Sequence, residues 1–262
     1  MSKDDIISFE KKGNHVCVFT MNRPKARNAV NGAMSEAMER CLEEFERDDD
    51  LWVGILASSH PRVFCAGADL KCISKGERIE TKKGGFMGLV KFPLTKPLIA
   101  AVDGKALAGG MELVLSCDMV VAAQQAMFGL PEVKRSLVAA AGGLFRLPRL
   151  VPQSVAVEMC LTGDPITATR AHELGLVNTI TEEGKALEGA MQLAERIVVN
   201  APLACREAKA CIADMQFMDE EEAFARSKTA MKKLSRTPDF KEGPRAFIEK
   251  RKPRWSGKMS KL

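Results

Sequence analysis

Ala106-Leu107-Ala108-Gly109-Gly110-Met111-Glu112-Leu113-Val114-Leu115 sets a carboxylate three residues past a small-residue turn, inside an otherwise apolar run. The run suits a buried helix opened by the glycine pair. Glycine permits close backbone approach at such a turn. The free N–H groups of a helix start, with the positive end of its dipole, suit a developing oxyanion. A carboxylate beside that anion repels it unless protonated or engaged with a proton donor. Glu112 is therefore either an acid–base group or a plain stabiliser of the helix N-terminus.

Working outward, Leu98-Ile99-Ala100-Ala101-Val102 is a buried-strand pattern ending at Asp103-Gly104, and Met119-Val120-Val121-Ala122-Ala123 follows the helix. Upstream, residues 6–10 and 16–21 read as a hairpin around Gly13-Asn14. From Met34 to Arg47, apolar residues at 34, 38, 41, 42 and 45 share one helical face, and 51–57 is the next strand. Alternation of strands with helices gives an α/β chain of repeated ββα-like units. Beyond about Ala186 the strand signals fade. Four helical stretches follow, near 186–199, 203–215, 219–235 and 244–251, punctuated by Pro202, Pro238 and Pro244. The soft boundary divides 1–185 from 186–262.

A second small-residue turn, Phe64-Cys65-Ala66-Gly67-Ala68-Asp69-Leu70, follows strand 51–57 and offers a second backbone donor. A second carboxylate, Glu132, lies in Phe128-Gly129-Leu130-Pro131-Glu132-Val133. Two donors from separate turns and two carboxylates meet the recipe for polarising a carbonyl and moving protons at the carbons beside it. These three motifs, in this order and spacing, resemble the crotonase superfamily of enoyl-CoA hydratases and isomerases. Asn22-Arg23-Pro24 with Asn28-Ala29, and Ala246-Phe247-Ile248-Glu249-Lys250-Arg251-Lys252-Pro253, extend the resemblance over essentially the whole chain.

The resemblance implies an α/β crotonase-like spiral of ββα units over 1–185. It implies a C-terminal helical trimerisation region over 186–262, and a homotrimer or a dimer of trimers. The N–H groups of Ala68 and Gly109 would bind the thioester oxygen of an acyl-CoA, and Glu112 and Glu132 would hold a water between them. One acid would take a proton from that water as it attacks the β-carbon, while a proton reaches the α-carbon. Both carboxylates together favour hydration of a trans-2-enoyl-CoA. The enzyme alternatives are an enoyl-CoA isomerase and a carnitinyl-CoA dehydratase; the alternative of another class is a non-catalytic acyl-CoA- or RNA-binding protein. For CoA, the turn Ala66, Asp69 and Leu70, together with Lys25, resembles the nucleotide-binding part, and Phe247 and Lys250 resemble residues of a closing helix. Asp69 has a second reading, fixing its own turn. CoA enters as substrate carrier, with no further cofactor.

Departures are also visible. Val138-Ala139-Ala140-Ala141-Gly142-Gly143 keeps the family's glycine pair but not its proline, and Lys134 and Arg135 set charge beside Glu132. Turned inward, either cation would hold that acid ionised. Residues 74–92 resemble a variable, mobile cover over the acyl pocket.

Composition bounds the rest. The 262 residues, 46% of them hydrophobic, suffice for one large domain with or without an appendage. Eight cysteines without a Cys-x-x-Cys pair read as reduced, buried thiols. Three scattered histidines disfavour a metal site, and also a nucleophile at Ser116, Cys117 or Asp118. The net charge of +5 comes without an RNA motif or stacking aromatics, which disfavours nucleic acid as partner. No dinucleotide or P-loop glycine motif occurs. No apolar run has membrane-span length, and Met1-Ser2-Lys3-Asp4-Asp5 does not open a signal peptide. Ser260-Lys261-Leu262 spells a peroxisomal address in a eukaryote; elsewhere the cytoplasm is expected.

Overall fold

A computed structural model describes residues 6–259, so the Ser260-Lys261-Leu262 motif lies outside the described residues. In chain order come β1 (Ile7–Lys11), β2 (Val16–Met21), α1 (Gly32–Arg47), β3 (Val53–Ser58), β4 (Val63–Cys65), α2 (Leu70–Ser74), β5 (Glu80–Thr81), β6 (Gly85–Phe86), β7 (Leu98–Val102), β8 (Lys105–Leu107), α3 (Gly109–Val114), β9 (Met119–Ala123) and β10 (Met127–Gly129). There follow α4 (Gly143–Leu150), α5 (Gln153–Thr162), β11 (Ile166–Thr167), α6 (Ala168–Glu173), β12 (Thr179–Thr181), α7 (Ala186–Val198), α8 (Pro202–Met215), α9 (Glu220–Leu234) and α10 (Pro238–Ile248).

From β3 to β10, apart from the separate two-stranded β5–β6 sheet, successive strands alternate between two sheets. The six-stranded sheet runs β1-β2-β3-β7-β9-β12 and is parallel except for the β1–β2 hairpin. The four-stranded sheet runs β11-β10-β8-β4, with β4, β8 and β10 parallel. Each of β3-β4-α2 and β7-β8-α3 is thus a ββα turn of a spiral, the arrangement expected from the resemblance. Because strand side chains alternate between faces, each strand feeds two cores. Cys17, Phe19, Leu56, Leu98, Ala100, Val120 and Ala122 face α1 and the second sheet. Val18, Val53, Ile55, Ile99, Ala101 and Val121 face the other way and meet Ala186, Ala190 and Ala194. Helix α7 therefore seals one face of the large sheet with small residues.

The α1 stripe is buried at Met34, Met38, Cys41, Leu42 and Phe45, as its spacing predicts, and Asn31 caps the helix by accepting from Met34 N–H at 3.0 Å. The last helix differs from expectation. It starts at Pro238, in the first turn, where a missing N–H costs nothing, after Thr237 caps it; Pro244 lies inside it. Residues 74–92 also differ from a mobile cover: residues 75–78 are exposed, but Gly84 to Val90 are buried, with Phe86, Met87, Leu89 and Val90 in the core. No disulfide joins the cysteines, of which only Cys17, Cys41 and Cys65 are buried; the other five are partly exposed.

Candidate active site

The two small-residue turns leave neighbouring strands at matched positions. In the parallel pair β4–β8, Cys65 lies opposite Ala106. Beyond β4, Val30 N–H donates to Gly67 O at 2.8 Å and Asp69 N–H to Val30 O at 2.9 Å, which ties down both neighbours of Ala68. Beyond β8, Ala108 N–H donates to Gly129 O at 2.9 Å while its backbone takes φ 52 and ψ −128, a region that costs an alanine roughly 1–3 kcal/mol. That strain turns the chain into α3 with Gly109 as its first residue. Among the described residues, neither Ala68 N–H nor Gly109 N–H meets a protein acceptor.

The turns touch. Gly67 sits at φ +95, and a Cβ on it would lie 2.9 Å from Ala108 Cβ and 3.1 Å from Gly109 N. A Cβ on Gly110 would collide with Cys65 O, and one on Gly109 would lie 2.6 Å from the Phe86 ring. Glycine is required here by close approach.

Glu112 sits in the first turn of the helix that Gly109 opens, and Glu132 lies within its electrostatic reach. Glu112 is 4% exposed and its Oε1 accepts from Gly143 N–H at 2.9 Å. Burial raises its pKa, opposed by the hydrogen bonds from Gly143 and Ala141 and by the Arg146 cation. Glu132 lies on the short helical turn Pro131–Arg135, and both its carboxylate oxygens are buried without a hydrogen-bond partner. Burial pushes it up to about 7, opposed by its own backbone N–H and reinforced by the charge of Glu112. A cavity of about 100 Å³ beside it is lined by Leu130, Ala139, Leu144, Cys160 and Leu161. Lys134 points away, paired with Asp164 at 2.5 Å, so it does not hold Glu132 ionised.

The remaining predicted residues divide into two groups. Ala66 N–H donates to Arg27 O at 3.1 Å, which draws the turn bearing Ala66, Ala68, Asp69 and Leu70 toward the segment bearing the exposed Lys25. Asp69 caps α2 by accepting from Lys71 N–H at 3.2 Å and pairs with Arg23 at 3.1 Å, so within this chain it fixes its turn. Phe247, 84% exposed, and Lys250 sit at the end of α10 with no hydrogen bond or ion pair to that turn among the described residues. Asp118 accepts from Leu98 N–H and pairs with Lys209, each at 2.8 Å, a joint between β7 and α8.

Sequence reasoning missed Arg146, Ala141 and the N–H of Gly143. The surviving Gly142-Gly143 pair was the available signal: Gly142 takes φ +120, and a Cβ there would strike the Arg146 guanidinium. Among the described residues, no group of three or more His, Cys, Asp or Glu gathers as a metal site, and no helix is long and apolar enough to cross a membrane.

Comparison with known proteins agrees with this fold. The family profile described as enoyl-CoA hydratase/isomerase matches residues 11–258. An enoyl-CoA hydratase of Mycobacterium tuberculosis is 39% identical over 95% of this chain and 96% of its own length. A carnitinyl-CoA dehydratase of Salmonella typhi is 39% identical over 91% of this chain and 94% of its own. The crystal structure of an enoyl-CoA hydratase from Mycobacterium tuberculosis H37Rv superposes with a TM-score of 0.93 at 44% identity, covering 97% of this chain and all of that one. The spiral of ββα units is the fold of a crotonase, and the chain belongs to the enoyl-CoA hydratase/isomerase family.

Proposed function

We propose that this protein adds water across the double bond of a trans-2-enoyl-CoA. The observation that carries the reading is the Glu132 carboxyl group, buried and within the field of Glu112, which itself lies in the first turn of the helix opened by Gly109. In this reading the thioester oxygen accepts from Ala68 and Gly109 N–H. Each such donor contributes about 3 kcal/mol as the enolate forms. Glu112, whose hydrogen bonds and nearby cation favour the charged form, takes a proton from water as the water oxygen bonds to the β-carbon. Glu132, the acid left protonated near neutrality, gives its proton to the α-carbon as the double bond opens. A double-bond shift needs one such acid; two neighbouring ones support hydration.

CoA serves as carrier, with no further cofactor. Lys25 and the Ala66–Leu70 turn are proposed to meet its nucleotide. Phe247 and Lys250, remote from that turn within one chain, would reach a nucleotide held by a neighbouring copy, consistent with residues 186–262 as the oligomerisation region of a trimer or dimer of trimers. A peroxisomal destination draws no support from the bacterial relatives.

The test is loss of enoyl absorbance from crotonyl-CoA and a longer trans-2-enoyl-CoA. Wild type should turn over at least one, and Glu112→Gln and Glu132→Gln should each lose roughly 10²–10⁴-fold in kcat with unchanged circular dichroism. Folded wild type that hydrates neither, yet dehydrates carnitinyl-CoA or shifts a 3-enoyl double bond, sinks the reading.

A further inference from the structure

Helix α4 brings one half-buried cation to the rim of this site. Arg146 donates through Nη2 to Val90 O at 2.6 Å, and through Nη1 to Ser116 Oγ at 3.0 Å and Ala141 O at 3.3 Å. Each acceptor belongs to a different segment. Val90 ends the buried stretch that begins at Gly84 and sets Phe86 against Gly109. Ser116 follows α3, and its hydroxyl donates back to Glu112 O at 2.7 Å. Ala141 lies in the turn that, with Gly143, presents N–H groups to the Glu112 carboxylate. A planar guanidinium can serve three such acceptors at fixed angles, which an ammonium cannot.

The acid itself has few charged neighbours. Glu112 is faced by Glu132 from the turn before α4, by Cys160 from α5 and by Arg146 from α4. Arg146 in turn is faced by Glu112, by Arg149 one turn on and by Cys117, beyond which lie Asp118 and Lys209. Arg146 is the cation acting on Glu112, and it acts without an ion-pair contact among the described residues.

We propose that Arg146 is a positioning residue: its guanidinium clasps the 84–90 stretch, the end of α3 and the 139–143 turn into one cradle for Glu112, and supplies the positive charge in that cradle. This rests on the reading of Glu112 as the base. The base works ionised, so kcat/KM falls as pH drops through its pKa. Loss of a nearby cation raises that pKa and moves the acidic limb to higher pH.

Arg146→Met and Arg146→Lys would be compared with wild type in two measurements. In the pH profile of kcat/KM for crotonyl-CoA, Arg146→Met should move the acidic limb up by about one pH unit, lower kcat more than it raises KM, and leave the basic limb in place. Arg146→Lys, which keeps the charge, should return the limb toward wild type. In hydrogen exchange read by mass spectrometry, peptides covering 84–92 and 139–143 should exchange at least tenfold faster in both variants, while those covering 98–102 and 119–123 stay protected. An acidic limb that stays put in active Arg146→Met overturns the proposal, and so does exchange that is unchanged or raised evenly across all peptides. Wild type without hydratase activity refutes the function reading separately, and the exchange pattern then decides the clasp alone.

Discussion

Glu132 carries a carboxyl group that the fold buries with no other residue to bond with among the described residues. A group so placed costs stability, and the cost has a pH signature. Its folded pKa, about 7, lies above the value of 4.5 expected when unfolded, so the native state holds the extra proton between those limits. Stability from this group is present below about pH 4.5 and is lost as pH rises through about 7. Glu132→Gln, which cannot ionise, should therefore gain on wild type as pH is raised from 5 to 8, a trend that urea midpoints at the two pH values would reveal. In kcat/KM the same proton sets the basic limb, expected near pH 7; a profile still rising at pH 9 would deny Glu132 the acid role. Asn28 shows the opposite condition. Fully buried at φ 52, it accepts from Arg23 N–H at 2.8 Å and donates to Ser58 Oγ at 2.8 Å and Phe64 O at 3.0 Å. Asn28→Ala should cost about 3 kcal/mol by denaturation, one per bond lost, and lower kcat through the turn that follows Phe64. The placing of Glu112, Glu132 and both glycine turns could be read from residue types because each breaks its local pattern. Arg146 was marked only by the Gly142-Gly143 pair before it, since its own Arg and Leu neighbours do not distinguish it from a solvated helix face.

Among elements, legibility followed length. Strands β2, β3, β7 and β9 have five or six residues, enough for a continuous apolar run to be recognised. Strands β4, β8 and β10 have three each and were hidden inside the motifs they support. Their pairing is nonlocal, with Val63 and Met127 both opposite Lys105, so no window of sequence contains the signal. Helix α4 was obscured by its glycine start and by Pro148, and α10 by Pro244, which the helix accommodates beyond its first turn. Caps give a direct test at this scale. Asn31→Ala removes the acceptor for Met34 N–H from a 16-residue helix and should lower stability by about 1 kcal/mol, read as a shifted denaturation midpoint with an unchanged slope.

Taken whole, the molecule leaves large apolar side chains exposed on several helices. Leu137, Val138, Leu144, Phe145 and Leu161 gather near α4 and α5, while Ile212, Phe217 and Phe224 stand out from α8 and α9. Three or six chains per particle are expected by size exclusion with light scattering, and a monomer at micromolar concentration would rule out the assembly. The parallel pair β4–β8 has a further consequence. Ala68 and Gly109 each lie three residues beyond one rung of that ladder, Cys65 opposite Ala106. The interstrand repeat of about 4.8 Å at that rung sets where the two turns begin. The backbone works as a gauge block: loops around it can lengthen, and the acids can be exchanged, while the start of each turn stays calibrated by the sheet.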